Sequence, residues 1–195
     1  MIGERKQFQF LSVALLLVLL PALVTCVNVW TRSYNNQRTG ANLEETILNT
    51  NNVKPSTFGK LFSRNVVGHV YAQVLHANNL RMENGETHNV IFVATMANNL
   101  YAFDADDPNQ SQPLWVRNFG PTLPISEQAQ WFEHSDHCAI YSDIVIEVGI
   151  LSTPVIDFST NTMYLTNVNK DADTPYTVRH RLNAIDIRSG KDVLP

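Results

Sequence analysis

Residues 90–106 of the chain read VIFVATMANNLYAFDAD. Two short runs of β-branched, aromatic and aliphatic residues are separated here by Asn98 and Asn99, and the second run ends at Asp104. This spacing, with turn-forming residues between the runs, predicts a β-hairpin. The predicted strands of the hairpin are residues 90–95 and 100–104.

The same pattern returns further along the chain. The first copy consists of residues 72–75, 90–95 and 99–106, and the second of residues 153–156, 162–166 and 181–187. A repeated unit of three or four short strands is typical of a β-propeller blade. We therefore predict an all-β fold made of blades of four antiparallel strands.

The repeats divide the chain into an N-terminal arm and about two blades. We expect an arm over 27–59 and a partial propeller over 60–195, which comprises a blade at 60–119, an inserted loop at 120–148 and an incomplete blade at 149–195. Blades pack face to face, and a propeller needs about 4–8 of them to close its ring. We therefore expect an incomplete ring here, as a fragment of a longer protein whose remaining blades are its partners.

Within the first blade the strand pattern is more detailed. Strands are predicted at 60–63, over 66–75, in the hairpin and, as the outer strand, at 114–119, with a loop over 78–89 that holds Asn84 and Gly85.

Composition limits the class of partner. The 195 residues include 44% hydrophobic and 16% charged residues, as in a globular protein, and the net charge is -4. Arg5 and Lys6 form the only basic run. Nucleic-acid binding requires clustered Lys and Arg to neutralise phosphates, so it has no support.

Residues 1–26 have the pattern of a secretory signal peptide. A positive start at Arg5 and Lys6 precedes a nearly continuous apolar stretch over 8–24. We therefore predict an exported, extracellular protein. The alternative is an uncleaved membrane anchor over 8–29, which approaches the roughly 20 apolar residues that a bilayer span needs.

The chain has two cysteines, and cleavage near Cys26 leaves Cys138 without a partner in the chain. The sequence therefore predicts no disulfide framework.

Several stretches resemble secreted proteins of the pyrroloquinoline-quinone-like β-propeller superfamily. They include 33–42 (SYNNQRTGAN), 68–75 (GHVYAQVL), 88–95 (HNVIFVAT) and 101–106 (YAFDAD), and the resemblance covers nearly all of 30–195. The superfamily includes quinone-dependent alcohol and sugar dehydrogenases as well as non-catalytic scaffolds. The resemblance also implies that Trp115, on an outer strand, is a structural residue that docks between blades.

The dehydrogenases of that superfamily depend on site residues that are not all present in this sequence. The alcohol enzymes use an adjacent pair of cysteines against the quinone, and acidic and amide side chains around a calcium ion. This sequence has no adjacent Cys pair. Calcium or pyrroloquinoline quinone is therefore expected only if the full ring is catalytic.

The inserted loop holds the candidate metal ligands. His134, Asp136, His137 and Cys138 offer imidazole, carboxylate and thiolate groups, although their spacing matches no closed zinc motif and an exposed polar loop is the alternative. Asp143 and Glu147 fall at acidic positions of the family pattern. If the loop folds over the axial channel, these two could bind a cation such as Ca²⁺.

Two other acidic residues end equivalent strands of the two copies. Asp104 and Asp186 are predicted to accept hydrogen bonds from backbone N–H groups of the following turns, because Asp at a strand end usually has that role.

The sequence analysis favours a secreted or surface-associated scaffold or binding module that holds protein or glycan ligands through its loops and has no catalytic residues of its own. The alternative is the N-terminal part of a quinone- or metal-dependent oxidoreductase whose site lies in further blades.

Overall fold

The structure is a computed structural model that describes residues 27–130, 143–171 and 178–193. The described chain forms three antiparallel sheets and one short 3₁₀ helix, which confirms the prediction of an all-β fold. The signal peptide predicted at 1–26 lies outside the described residues.

The first sheet has four antiparallel strands in the order of the chain: β1 (Leu75–Arg81), β2 (Thr87–Ala94), β3 (Asn99–Asp104) and β4 (Trp115–Asn118). The predicted hairpin is confirmed, with Val90 opposite Asp104 and Ala94 opposite Leu100. Asn98 takes a positive φ of 56° in its turn, a conformation that Asn tolerates better than most residues.

The second sheet has three antiparallel strands, β7 (Val155–Asp157), β8 (Thr162–Lys170) and β9 (Val178–Asp186). A single bridge pairs Ile185 with Asp192 beyond β9. Between the two sheets, β5 (Leu123–Pro124) pairs with β6 (Glu147–Val148), and the 3₁₀ helix spans Ile125–Gln130.

Three predictions within the residues assigned to the first blade are wrong. Residues 60–63 form no strand, and the strand predicted over 66–75 begins only at Leu75. The loop predicted over 78–89 is instead the rest of β1, a turn at 82–86 and the start of β2.

The loop prediction over 78–89 is wrong because β1 contains a β-bulge. The register passes from Ala77 opposite Val90 to Leu80 opposite His88, and Asn79 takes a φ of 51°. A bulge inserts a residue without ending the strand, so turn-forming residues at this position do not mark a loop.

Both sheets bury residues in one shared core, and they do so with opposite faces. Leu100 in the first sheet and Leu182 in the second occupy equivalent positions of the repeat. In each sheet we call the face that carries this leucine the front face, and the opposite face the back face. The front of the first sheet contributes Val90, Phe92, Ala94, Leu100 and Ala102, and the back of the second contributes Ile156, Met163, Leu165 and Ile185.

The remaining two faces differ. The back of the first sheet holds a small buried cluster of Val93, Tyr101 and Phe103, against which Val66 packs. The Tyr101 hydroxyl accepts a hydrogen bond from the Val67 N–H at 3.1 Å. On the front of the second sheet, Tyr164 and Leu182 are exposed.

Within the described ranges, no helix is both long and apolar enough to cross a bilayer. Most of the anchor considered at 8–29 lies outside those ranges.

Candidate functional site

The predicted cation ligands Asp143 and Glu147 are both described, and each is tied to a different neighbour. The backbone carbonyl of Asp143 accepts a hydrogen bond from the Tyr71 hydroxyl at 2.7 Å. The Glu147 carboxylate accepts one from the Thr122 hydroxyl, beside the β5–β6 pair. That these two residues bind a cation stays a prediction.

The other members of the predicted cluster, His134, Asp136, His137 and Cys138, lie outside the described residues. Across the described ranges, no three His, Cys, Asp or Glu side chains gather as a metal-binding group. The sequence has no adjacent cysteine pair, and we derive no reaction step through a calcium–quinone centre.

The turn-acceptor prediction for Asp104 and Asp186 is confirmed. Asp104 Oδ1 accepts the N–H groups of Asp106 and Asp107, both at 2.7 Å. Asp186 Oδ1 accepts the N–H of Arg188 at 2.8 Å.

The two aspartates differ in the cation beside them. Asp104 Oδ2 lies 2.6 Å from Nδ1 of His88, whereas the Asp186 carboxylate binds the Arg188 guanidinium. The hydrogen bond to Asp104 raises the pKa of His88 against the effect of burial. Burial acts to raise the pKa of Asp104, but hydrogen bonds from Asp107, His88 and Asp106 lower it overall.

Trp115 lies on the edge strand β4 and contacts the turn that follows β9. Its indole Nε1–H donates to the Ile187 carbonyl at 3.0 Å, and its ring centroid is 5.8 Å from that of Phe92. The ring also covers Gly190, where a Cβ would stand 2.7 Å from Trp115 Cε3. Gly190 is therefore the residue that lets the indole approach the turn after β9.

A group of buried asparagines also joins the sheets, and the sequence reasoning missed it. Asn98 Nδ2 donates to the carbonyls of Gly120 and Val168. Asn169 Nδ2 donates to the carbonyls of Phe119 and Pro121, and Asn169 Oδ1 accepts a hydrogen bond from Asn167 Nδ2. Because Asn is common in turns, the sequence alone gives no signal that separates these residues from loop asparagines.

Two large grooves lie on the described surface. The outer groove, of about 890 Å³, runs between β4 and β9 and is lined by Arg117, Lys170, Arg179 and Arg181, among others. The arm groove, of about 750 Å³, is lined by Arg32, Arg38, Tyr71, Gln73, Ser152 and His180, among others.

The arm groove is formed by segments that are distant in sequence. Its walls come from the N-terminal arm, the segment before β1, the segment before β7, and strands β8 and β9. Sequence reasoning did not single out Arg32 or Arg38, because nothing local to the arm shows that it folds back onto the second sheet.

Comparison of the chain with protein-family models, with curated proteins and with solved structures finds no match.

Proposed function

We propose that the chain is part of a secreted or surface-associated β-propeller that acts as a scaffold or binding module, without catalytic activity of its own. Its two large sheets are consecutive blades, and further blades are its structural partners. Its ligands are protein or glycan molecules bound by the loops and grooves at the ends of the sheets.

One observation carries this proposal: the front of the first sheet packs on the back of the second. Two like units that meet through opposite faces leave an equivalent front face free, so the contact can be repeated by a further unit. Stacking of this kind is what a propeller needs between its blades, whereas a two-sheet sandwich closes its core with the inner faces of both sheets.

The edge-strand tryptophan supports the same proposal. Trp115 is on the fourth strand of the first sheet and binds the turn that follows the third strand of the second. This contact matches the role that the family resemblance implies for an outer-strand Trp.

The catalytic alternative is tested directly. The purified chain is titrated with pyrroloquinoline quinone and calcium by calorimetry, and dye reduction is followed with ethanol or glucose as the donor. We expect neither binding nor dye reduction. Stoichiometric, calcium-dependent quinone binding would overturn the proposal in favour of an oxidoreductase.

Export is tested separately by N-terminal sequencing of protein recovered from the medium of expressing cells. We expect a mature N-terminus near Cys26, because the charged start and the apolar stretch fit a cleaved signal peptide. Exported protein that begins at Met1 would contradict this part of the proposal.

A further inference from the structure

The arm groove has the size of a ligand site. Its volume of about 750 Å³ falls within the roughly 300–1,000 Å³ that is usual for ligand clefts. The described residues that line it include hydroxyl, amide, imidazole and phenol groups and two guanidinium groups, but no carboxylate.

Hydrogen bonds hold the walls of the arm groove in place. The Ser33 N–H donates to Gln73 Oε1 at 2.8 Å, and the Gln73 N–H donates to Thr153 Oγ1 at 3.0 Å. The Ile156 N–H donates to the Trp30 carbonyl at 2.8 Å. The Val29 N–H donates to the His76 carbonyl of β1 at 2.9 Å, so the arm is fixed to both sheets and a ligand would meet a site that is already formed.

The two arginines of the groove are not neutralised by any described carboxylate. Arg38 donates to Thr31 Oγ1 at 2.8 Å and to the Arg32 carbonyl at 2.7 Å, both neutral acceptors. The Arg32 guanidinium has no hydrogen-bond or ion-pair partner in the part of the chain that the structure describes.

The outer groove differs, because three of its four cationic side chains are paired with described carboxylates; Arg181 is the exception. Arg117 Nη2 lies 2.7 Å from Asp192 Oδ2, Arg179 Nε lies 2.7 Å from Asp171 Oδ2, and Lys170 is paired with Glu127. In a chain of net charge -4, uncompensated guanidinium groups in a preformed groove indicate a site for an anion.

The other groups in the arm groove point to a saccharide as the carrier of that anionic charge. The hydroxyls of Ser152 and Thr166 are 2.7 Å apart on an exposed part of the wall and can exchange hydrogen bonds with sugar hydroxyls. Tyr71 is 42% exposed, and its hydroxyl is held by the Asp143 carbonyl. Its ring is thus a fixed apolar surface beside the polar groups, an arrangement suited to an amphipathic ligand.

We propose that the arm groove binds an acidic saccharide, with the sugar ring on Tyr71 and a carboxylate of the sugar on Arg32 and Arg38. This inference rests on the proposed binding function and names its ligand class. The carboxylate supplies the anionic partner that neither guanidinium group has among the described residues, and the hydroxyl-lined wall receives the sugar hydroxyls.

Calorimetry with trigalacturonic acid as the probe tests the inference, with the neutral galactose trisaccharide and oligoglutamate for comparison. We expect trigalacturonic acid to bind, the neutral sugar to bind at least about tenfold more weakly, and binding to weaken as salt is raised, because the charge-assisted hydrogen bonds are lost or screened. Oligoglutamate should bind weakly because it offers no ring or hydroxyl groups to the wall.

Matched variants locate the site. Arg32→Gln should weaken binding of trigalacturonic acid by about tenfold or more, and Arg32→Lys should retain part of it. Arg179→Gln removes the same charge from the outer groove and should leave the affinity unchanged. Tyr71→Ala should weaken binding of both the acidic and the neutral sugar.

The inference is overturned if trigalacturonic acid does not bind, if it binds no better than the neutral sugar, or if Arg32→Gln and Arg179→Gln have equal effects. If oligoglutamate binds as tightly as trigalacturonic acid and with the same dependence on Arg32, the ligand is an acidic peptide and not a saccharide. These outcomes are independent of the quinone titration, which tests the proposed function itself.

Discussion

The first and second sheets carry the same repeat but differ in how many of their faces are covered. The first sheet buries its front against the second sheet and its back beneath the segment that holds Val66. The second sheet leaves the centre of its front uncovered, so that Leu182 is 73% exposed where the equivalent Leu100 is fully buried. Identical residues at equivalent positions thus have different environments, because burial depends on the neighbouring unit and not on the strand alone.

This difference is informative about the architecture. In the first sheet the apolar residues of the front face pack on another sheet. In the second sheet the equivalent Leu182 of the front face is exposed to solvent. An exposed apolar face of this kind is expected where a repeat unit stacks on a further unit. The comparison therefore supports the proposal that the two sheets are consecutive blades of a longer series.

Replacing the two equivalent leucines by alanine should give the largest difference in stability between a substitution in the first sheet and one in the second. Leu100→Ala leaves a cavity in the shared core and should lower the free energy of unfolding by about 2–5 kcal/mol. Leu182→Ala removes the same atoms from an exposed site and should change it by less than about 0.5 kcal/mol. Urea denaturation followed by fluorescence measures both; equal losses would show that the two faces are covered alike.

Local signals explain what could be predicted from the sequence. The hairpin of β2 and β3 follows from two apolar runs around Asn98 and Asn99, and the turn roles of Asp104 and Asp186 follow from the preference of Asp for strand ends. Each of these features involves residues close together in the chain.

Features that depend on distant contacts could not be predicted in this way. The sequence predicts a loop at Asn78 and Asn79 because their composition is that of a turn, whereas pairing with β2 keeps them in the bulged strand β1. The arm groove was missed because the contact between Ser33 and Gln73 joins positions 40 residues apart. The asparagines between the sheets were missed for the same reason.

The contact of Trp115 with Gly190 can be separated from backbone strain by a matched pair of glycines. Gly190 and Gly85 have φ values of 72° and 88°, but a Cβ at Gly85 meets nothing within 4 Å, whereas one at Gly190 meets the indole. Gly85→Ala should therefore lower the free energy of unfolding by about 1–2 kcal/mol, which is the strain of an alanine in a left-handed backbone conformation. Gly190→Ala should lower the free energy of unfolding by about 1–3 kcal/mol more than Gly85→Ala does, because the indole of Trp115 must shift.

Thermal or urea denaturation of the two variants measures this difference. In a Trp115→Leu background the two glycine substitutions should become equally costly, since the smaller side chain leaves room for the Cβ. If the extra cost of Gly190→Ala persists in that background, the indole is not its cause, and Trp115 does not fix the stacking of the two sheets.

The smallest expected difference concerns pH, and it follows from the cations beside the equivalent aspartates. His88 has a pKa raised above 6.5, chiefly by its hydrogen bond to Asp104, so its stabilising effect is complete below pH 6.5 and is lost as pH rises through the raised value. Asp104 has a pKa lowered from 3.8, so its effect is present above pH 3.8 and is lost as pH falls through the lowered value. The pair therefore stabilises the first sheet most between pH 3.8 and 6.5.

The equivalent pair in the second sheet behaves differently at neutral pH. The Arg188 guanidinium lowers the pKa of Asp186, and Arg188 stays charged throughout the neutral and mildly alkaline range. Urea midpoints at pH 5.5 and pH 8.5 should show that the chain loses up to about 1 kcal/mol on going to the higher pH. In the His88→Gln variant, part of that loss of stability should disappear. In the Arg188→Gln variant, the full loss should remain. Because the other histidines are present in every variant, the comparison isolates the effect of His88. Equal pH dependence in the unsubstituted chain and in His88→Gln would mean that the contact with Asp104 contributes nothing to the stability of the first sheet.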